Sequence, residues 1–475
     1  MTCPKRHWTK LLRMFASNVQ RFDLPAQLSG YGQMAGVGFK NADMNFYHSY
    51  ASINQKLALG VNLHYGEDEA SILPRDPRPL RIPRIGVYTG SGTSHSWLWF
   101  VELFDRMLFH DLVFLTEDMV REGVLKDLDV FVISGGDTIR IAEGLGSEGA
   151  EELESFIRGG GLYIGSCAGA YLPLKSSKPY LDRFNFVDIK IANLSKTLPE
   201  VKRFHSKAST TYGCDFVYHP VREDIRLRIT GKKPFTSVES FLAPLYGGPS
   251  MVTGRDSDVL ACYEGFTEKT IFLVDEALAE KTLLGKVAAA RTGMGDGCLY
   301  LFGPHFEHPR FPMANHLVAT AIFWDMKRDR INRKSSDGEV ILQGTAKKKL
   351  IVDIKREISN ARIVSVGLEA IPVKWIIGCK TYEPEKIRVF LEAMWKRINQ
   401  LERSRRICLQ SGTSEQVVAL ACQVRQILRE MKSRIDDHLD TQDLAGDLFN
   451  SLRRLTMLFL QVYFNSFACN LELDS

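Results

Sequence analysis

The sequence predicts an α/β protein, a mostly parallel sheet through the middle of the chain followed by a helical C-terminal region. Three observations carry that expectation. Short apolar runs recur between Ile85 and Phe302 with helical patterns between them, the texture of βαβ units. Gly/Ser-rich turns follow several runs directly, where the carboxyl ends of parallel strands hold their ligands. Beyond Pro384 the apolar residues shift to a spacing of three and four, the period of helices packing in a bundle.

Taken in order, residues 1–82 read as an N-terminal extension and linker. Trp8, Leu11, Leu12, Phe15, Val19 and Phe22 share one face of a helix, a packed helix in the simplest reading and a transit or membrane-surface helix in the alternatives. Pro74 to Pro79 reads as an extended linker. Residues 83–326 hold the α/β pattern. Strands are expected at 85–88, 112–115, 130–133 and 162–164, and helices at 97–109 and 148–158. From 182 to 291 the pattern loosens into more antiparallel segments, with a tight turn at Tyr246-Gly247-Gly248-Pro249 and a strand at 259–263. A buried strand at 298–302 and a helix at 314–324 close the domain. The basic stretch 327–350 reads as a linker or hairpin, and 351–475 as a mainly helical domain. There Pro384 suits a first helical turn, Thr413 and Gln416 form a capping-box pattern, and a third helix starts near Asp443. These stripes read as a bundle core, with a protein partner as the alternative use of their outer faces.

Composition narrows the function. With 475 residues, 25% charged and 45% hydrophobic, the chain is globular rather than disordered or fibrous. A net charge of +5 is mild, so no nucleic-acid partner is expected. The nine cysteines are irregularly spaced and include no C-x-x-C pair, which predicts neither a disulfide framework nor a metal site and favours a reducing cytoplasm. No cofactor is expected. No run approaches the roughly 20 apolar residues that span a bilayer.

The chemistry centres on Gly165-Ser166-Cys167-Ala168-Gly169, directly after an apolar run. That is the nucleophile-elbow pattern with cysteine in place of serine; its bland alternative is a small buried thiol. A cysteine nucleophile needs a base, and the base a group to orient it. His305 and Glu307, two apart in an extended segment after the last strand, point the same way and offer both. An oxyanion needs donors, which the Ala168 amide and the Gly135-Gly136 loop can supply, although a glycine pair is equally a plain turn.

Ser134-Gly135-Gly136, the Cys167 elbow and His305-Phe306-Glu307 together resemble the class I glutamine amidotransferase-like superfamily. Residues 84–325 look most like the amidotransferase-like domain at the N-terminus of some biotin-protein ligases. The resemblance implies a flavodoxin-like sheet, Cys167 as nucleophile with His305 and Glu307 as partners, and a small-molecule pocket near the glycine loops. It further implies that the Tyr246-Gly247-Gly248 turn lines that pocket. The chain departs from the pattern at two positions: Tyr171 stands where glutaminases hold substrate with glutamine, and Phe306 where they carry proline. No Gly-Arg-Gly-Arg biotinyl-adenylate loop is present. The expected function is a cysteine hydrolase or acyl/amide transferase; the alternative is a non-catalytic ligand-binding or scaffold protein whose helices bind a partner.

Overall fold

An apolar run with no polar side belongs in a strand covered on both faces, and the computed structural model buries these runs in that way. It describes residues 41–65, 76–197, 217–235, 239–326, 339–378 and 380–471. The chain divides into units 1–41 and 42–475; the expected helix at 8–22 and the glycine-rich stretch at 30–38 lie outside the described residues.

Strand β1 (Ile85–Tyr88) leads through helix α1 (Trp97–Arg106) to β2 (Leu112–Leu115) and β3 (Val130–Ile133). Helix α2 (Thr138–Arg158) then returns the chain to β4 (Leu162–Ser166), which enters the one-turn helix α3 (Ala168–Tyr171). Four longer strands follow, β5 (Val221–Ile229), β6 (Ser240–Leu245), β7 (Ser257–Phe266) and β8 (Val287–Met294). The domain ends on β9 (Gly297–Phe302) and helix α4 (Pro312–Asp325). The sheet order is β6-β5-β7-β8-β9-β4-β3-β1-β2. Neighbours from β9 to β2 pair in parallel, and the extension from β8 to β6 is antiparallel. Alternate side chains go to opposite layers. Phe131, Tyr163, Leu299 and Leu301 pack with Ile141, Leu145, Leu153 and Ile157 of α2. On the other face Phe114 meets Trp97 of α1, and the Tyr300 hydroxyl donates to Asp325 of α4 at 2.6 Å.

The C-terminal region adds strand β10 (Glu339–Leu342), helix α5 (Gly344–Glu369), a hairpin of β11 (Trp375–Ile377) and β12 (Lys380–Tyr382), and helix α6 (Pro384–Arg403). Strand β13 (Ile407–Gln410), paired with β10, then leads into helices α7 (Thr413–Asp436) and α8 (Gln442–Leu471). This region covers the open sheet edge. Gln461 of α8 accepts from Phe114 N at 3.1 Å and donates to Leu112 O at 3.2 Å, satisfying groups that a bare edge strand would leave unpaired. Arg397, 2% exposed, pairs with Asp105 at 2.7 Å and Glu102 at 3.3 Å on α1.

Several elements differ from the sequence expectation. α2 starts ten residues earlier than the expected 148, because Asp137 caps it, its Oδ1 accepting from Ile139 N at 3.1 Å; the kink at Gly146 had split the apolar period. α5 begins inside the expected linker, since Lys347 to Lys349 are good helix formers on its outer side while Leu350, Ile354 and Ile358 face inward. The capping box at Thr413 is not formed. Gly412, at φ 78°, takes the cap position and Thr413 is already helical. No described helix is long and apolar enough to cross a membrane.

Candidate active site

β4 ends at Ser166, and the chain reverses into α3 through Cys167 at φ 53°, ψ −107°, a conformation that side-chain-bearing residues rarely adopt. The turn closes because its neighbours are glycines. A Cβ on Gly169 would strike the Ile133 carbonyl, and one on Gly165 the carbonyl of Gly169. Cys167 N donates to Phe302 O at 2.9 Å and Gly169 N to Ser134 O at 3.1 Å, so the elbow is held between the ends of β9 and β3.

His305 and Glu307 leave the end of β9, the parallel neighbour of β4, which brings them to the cysteine. His305 Nδ1 lies 2.7 Å from Glu307 Oε1, and the Cys167 thiol titrates under the influence of the same ring. All three are buried: Cys167 is 4% exposed, His305 2% and Glu307 0%. Ser134 Oγ donates to Glu307 Oε1 at 2.7 Å and stands 2.9 Å from Ser96 Oγ, itself 2.9 Å from Ser94 Oγ. Burial by itself pushes the His305 pKa down. The charges of Glu307 and Cys167 outweigh it and hold the ring protonated above its ordinary range. Burial likewise pushes the thiol up, but the His305 charge and hydrogen bond, helped by Lys380, bring it below its ordinary value.

The remaining sequence-derived residues fall around this line. A Cβ on Gly135 would lie 2.7 Å from His305 Cε1, so only glycine fits beside the ring. The bridge between Thr93 and Gly136 runs through Ser94 N to Gly135 O at 3.1 Å and Asp137 N to Gly92 O at 2.8 Å, which leaves the Gly136 amide outside the pairing. The Ala168 amide opens α3 and has no acceptor within that helix. Tyr246 stands 5.8 Å from the His305 ring and donates its hydroxyl to Glu223 at 3.0 Å. Gly247, at φ 121°, passes beside His219, and Gly248 packs against the Gly303 backbone. Tyr171 packs in the hydrophobic core, its hydroxyl accepting from Asn193 at 2.8 Å. Phe306 stacks on Phe302 at 4.4 Å, an anchor in place of proline.

Sequence reading missed Ser96, Trp99, His95 and His308, and quoted Ser134 without assigning its hydrogen bond to Glu307. Trp99 of α1 meets the His305 ring edge-on at 4.9 Å and the His308 ring at 4.4 Å. The available signal was topological: the loop after β1 opens at the same sheet end as the elbow. Among the described residues no group of three or more His, Cys, Asp or Glu is placed to hold a metal ion.

The elbow cysteine and the buried histidine–glutamate pair thus come from adjacent parallel strands of a mixed sheet with a parallel core. Residues 84–348, more than half of the chain, match the family described as biotin-protein ligase, N terminal, and the protein belongs to that family. Similar solved structures include a glutamine amidotransferase, 16% identical over 50% of this chain and 97% of that one, at a TM-score of 0.33. A cytoplasmic protein from Salmonella typhimurium is 12% identical over 48% of this chain and 87% of its own, at a TM-score of 0.31. A ThuA-like protein from Bacteroides uniformis is 13% identical over 52% and 94%, at 0.32. No curated protein matches the chain.

Proposed function

We propose that the protein is a cysteine-dependent hydrolase or acyl/amide transferase acting on a small-molecule amide or related carbonyl compound. The observation that supports this most is the buried line from Cys167 through His305 to Glu307 at a strained elbow, with opposed pKa shifts that favour thiolate and imidazolium. In this reading the thiolate attacks the carbonyl carbon, and the oxyanion takes hydrogen bonds from the Gly136 and Ala168 amides. As the C–N bond breaks, His305 gives its proton to the departing nitrogen and a thioester remains. Neutral His305 then takes a proton from water or an acceptor amine as that nucleophile attacks the thioester. The thiolate leaves and the starting protonation is restored. Glu307 orients His305, Ser134 orients Glu307, and Tyr246 walls the pocket. By the resemblance, Tyr171 stands at the position where glutaminases carry the glutamine that helps hold substrate, so free glutamine is not the expected substrate.

The test is alkylation by iodoacetamide at neutral pH with peptide mapping. Cys167 should react at least about tenfold faster than an ordinary thiol, and His305→Ala should abolish the preference. Labelling of Cys167 no faster than of the other eight cysteines would remove the enzyme reading and leave the ligand-binding or scaffold one. A metabolite screen with Cys167→Ala as trap then identifies the substrate.

A further inference from the structure

The C-terminal region reaches the site at two points. The base of the β11–β12 hairpin is fixed to α8 and the segment before it. Trp375 Nε1 donates to Thr441 Oγ1 at 2.9 Å, Ile376 N donates to Gln442 Oε1 at 3.1 Å, and Gln442 Nε2 donates to Ile376 O at 2.7 Å. Its tip stands on the glycine loop. A Cβ on Gly378 would lie 2.9 Å from Arg140 Nε and 3.1 Å from Asp137 Oδ2, and Asp137 directly follows Gly136. Lys380 pairs with Ile377 at that same tip. The second point is the start of α6. Phe390 packs on Trp97 with ring centroids 6.4 Å apart, and Lys386 lies one turn earlier, on the same face of the helix. That aims Lys386 at the start of α1, where His95, Ser96 and Trp99 stand.

The charges agree with this placement. Lys380 is felt at Cys167 and His95, Lys386 at His95 and His308, and Arg310 at His308. Of the nearby carboxylates, Asp137 caps α2, Glu223 accepts from Tyr246 and faces Arg310 at 3.9 Å, and Glu307 holds His305. Glu385, beside Lys386, has its Oε2 buried without a hydrogen-bond partner, on the side of α6 where Arg388 and Glu392 pair with Glu369 and Arg362 of α5. Lys386 makes no ion pair among the described residues, since its neighbour Glu383 pairs with Lys374.

We propose that this hairpin and the first turn of α6 form a cationic wall of the Cys167 site, so that Lys380 and Lys386 select a substrate carrying an anionic group, such as a carboxylate, near the carbonyl under attack. The proposal rests on Cys167 being the nucleophile. It assigns a substrate-selecting role to residues outside the 84–348 family match. With Cys167 4% exposed, little water remains at the site to screen the attraction.

Two alkylating reagents of nearly equal size test this on the full chain: anionic iodoacetate and neutral iodoacetamide. Both read the same thiolate, so the ratio of their rates at Cys167 cancels its population; dividing by the ratio for N-acetylcysteine cancels intrinsic reactivity. The normalised ratio should exceed one by about tenfold at low salt, the effect of a unit positive charge or two within about 10 Å at intermediate dielectric. It should fall toward one in Lys386→Gln and in Lys380→Gln/Lys386→Gln, and in wild type at about 1 M salt. A wild-type ratio near one with rapid iodoacetamide labelling overturns the cationic wall and spares the nucleophile. Slow labelling by both reagents overturns the nucleophile reading and this inference with it.

Discussion

Replacing Glu307 by glutamine keeps the shape of a fully buried side chain and removes one charge. Its contact with His305 Nδ1 is 2.7 Å, and a hydrogen bond to a charged group is worth about 1.5–3 kcal/mol. At 1.36 kcal/mol per pKa unit, losing it lowers the His305 pKa by about 1–2 units. Glu307 is the largest of the influences that raise the histidine, and burial opposes it, so without the carboxylate the ring moves toward neutrality. Cys167, held low chiefly by the His305 charge, then moves up, against the smaller relief of the Glu307 charge that had raised it. The thiolate fraction at neutral pH drops, and iodoacetamide alkylation of Cys167 slows by at most about ten- to a hundredfold. The assay is alkylation rate against pH, from about pH 5 to about pH 10, followed by peptide mass spectrometry. Glu307→Gln should shift the midpoint to higher pH and rejoin the wild-type rate at the alkaline plateau. An unshifted midpoint refutes the electrostatic reasoning, as does a loss that persists on the plateau, which signals a displaced side chain.

Three further outcomes follow from the packing. Arg397→Ala removes the buried partner of two half-buried carboxylates, Glu102 keeping Lys396 and Arg106, and should destabilise the fold by about 3 kcal/mol in urea unfolding. Burial alone would raise the Glu102 pKa, but Arg397, Lys396 and Arg106 draw it down to about 2; its contribution is therefore present above the ordinary carboxylate pKa and lost as pH falls toward 2. The Arg397→Ala protein should lose stability less steeply over that acid range, and an identical slope would contradict the assignment. Gln461→Ala leaves the Phe114 amide and Leu112 carbonyl without their partner, costing about 1–3 kcal/mol and raising aggregation measured by light scattering. Gly169→Ala drives a methyl into the Ile133 carbonyl and should lower the urea midpoint together with Cys167 alkylation; a neutral effect on both would show that the elbow has slack.

The strands of the parallel core were legible because each is an unbroken apolar run bounded by turns, and the elbow because a glycine two residues either side of a cysteine has a steric meaning. Legibility failed where a local signal was diluted. Gly144 and Gly146 hid the first turns of α2, and three lysines gave α5 the look of a linker although their aliphatic stems suit a helix. Cys167, His305 and Glu307 could be paired from topology, because adjacent parallel strands end side by side. Ser96 and Trp99 could not, since their approach to His305 and Glu307 depends on how α1 lies across the sheet, and no spacing in the sequence encodes that angle. The approach of Gly378 to Asp137 and Arg140 was hidden for the same reason, more than 200 residues along the chain from them.

Trp99 shows why the carboxylate, rather than the histidine, defines the site. Three imidazoles meet its ring, His95 at 5.4 Å, His305 at 4.9 Å and His308 at 4.4 Å. His305 and His308 are buried and His95 half-buried, and burial pushes each toward the neutral form. For His95 the nearby Lys386 and Lys380 add to that push, and for His308 Arg310 and the charged His305 do the same, so both fall well below the ordinary imidazole value. His305 alone of the three has a carboxylate on one nitrogen and a thiol beside the ring, and it moves the other way. Of the three rings around Trp99, only His305 is therefore held protonated, and in the proposed mechanism it is the ring that passes a proton to and from a group on Cys167. The same cationic surround lowers the thiol, so the lysines that would recognise an anionic substrate also favour the thiolate that attacks it.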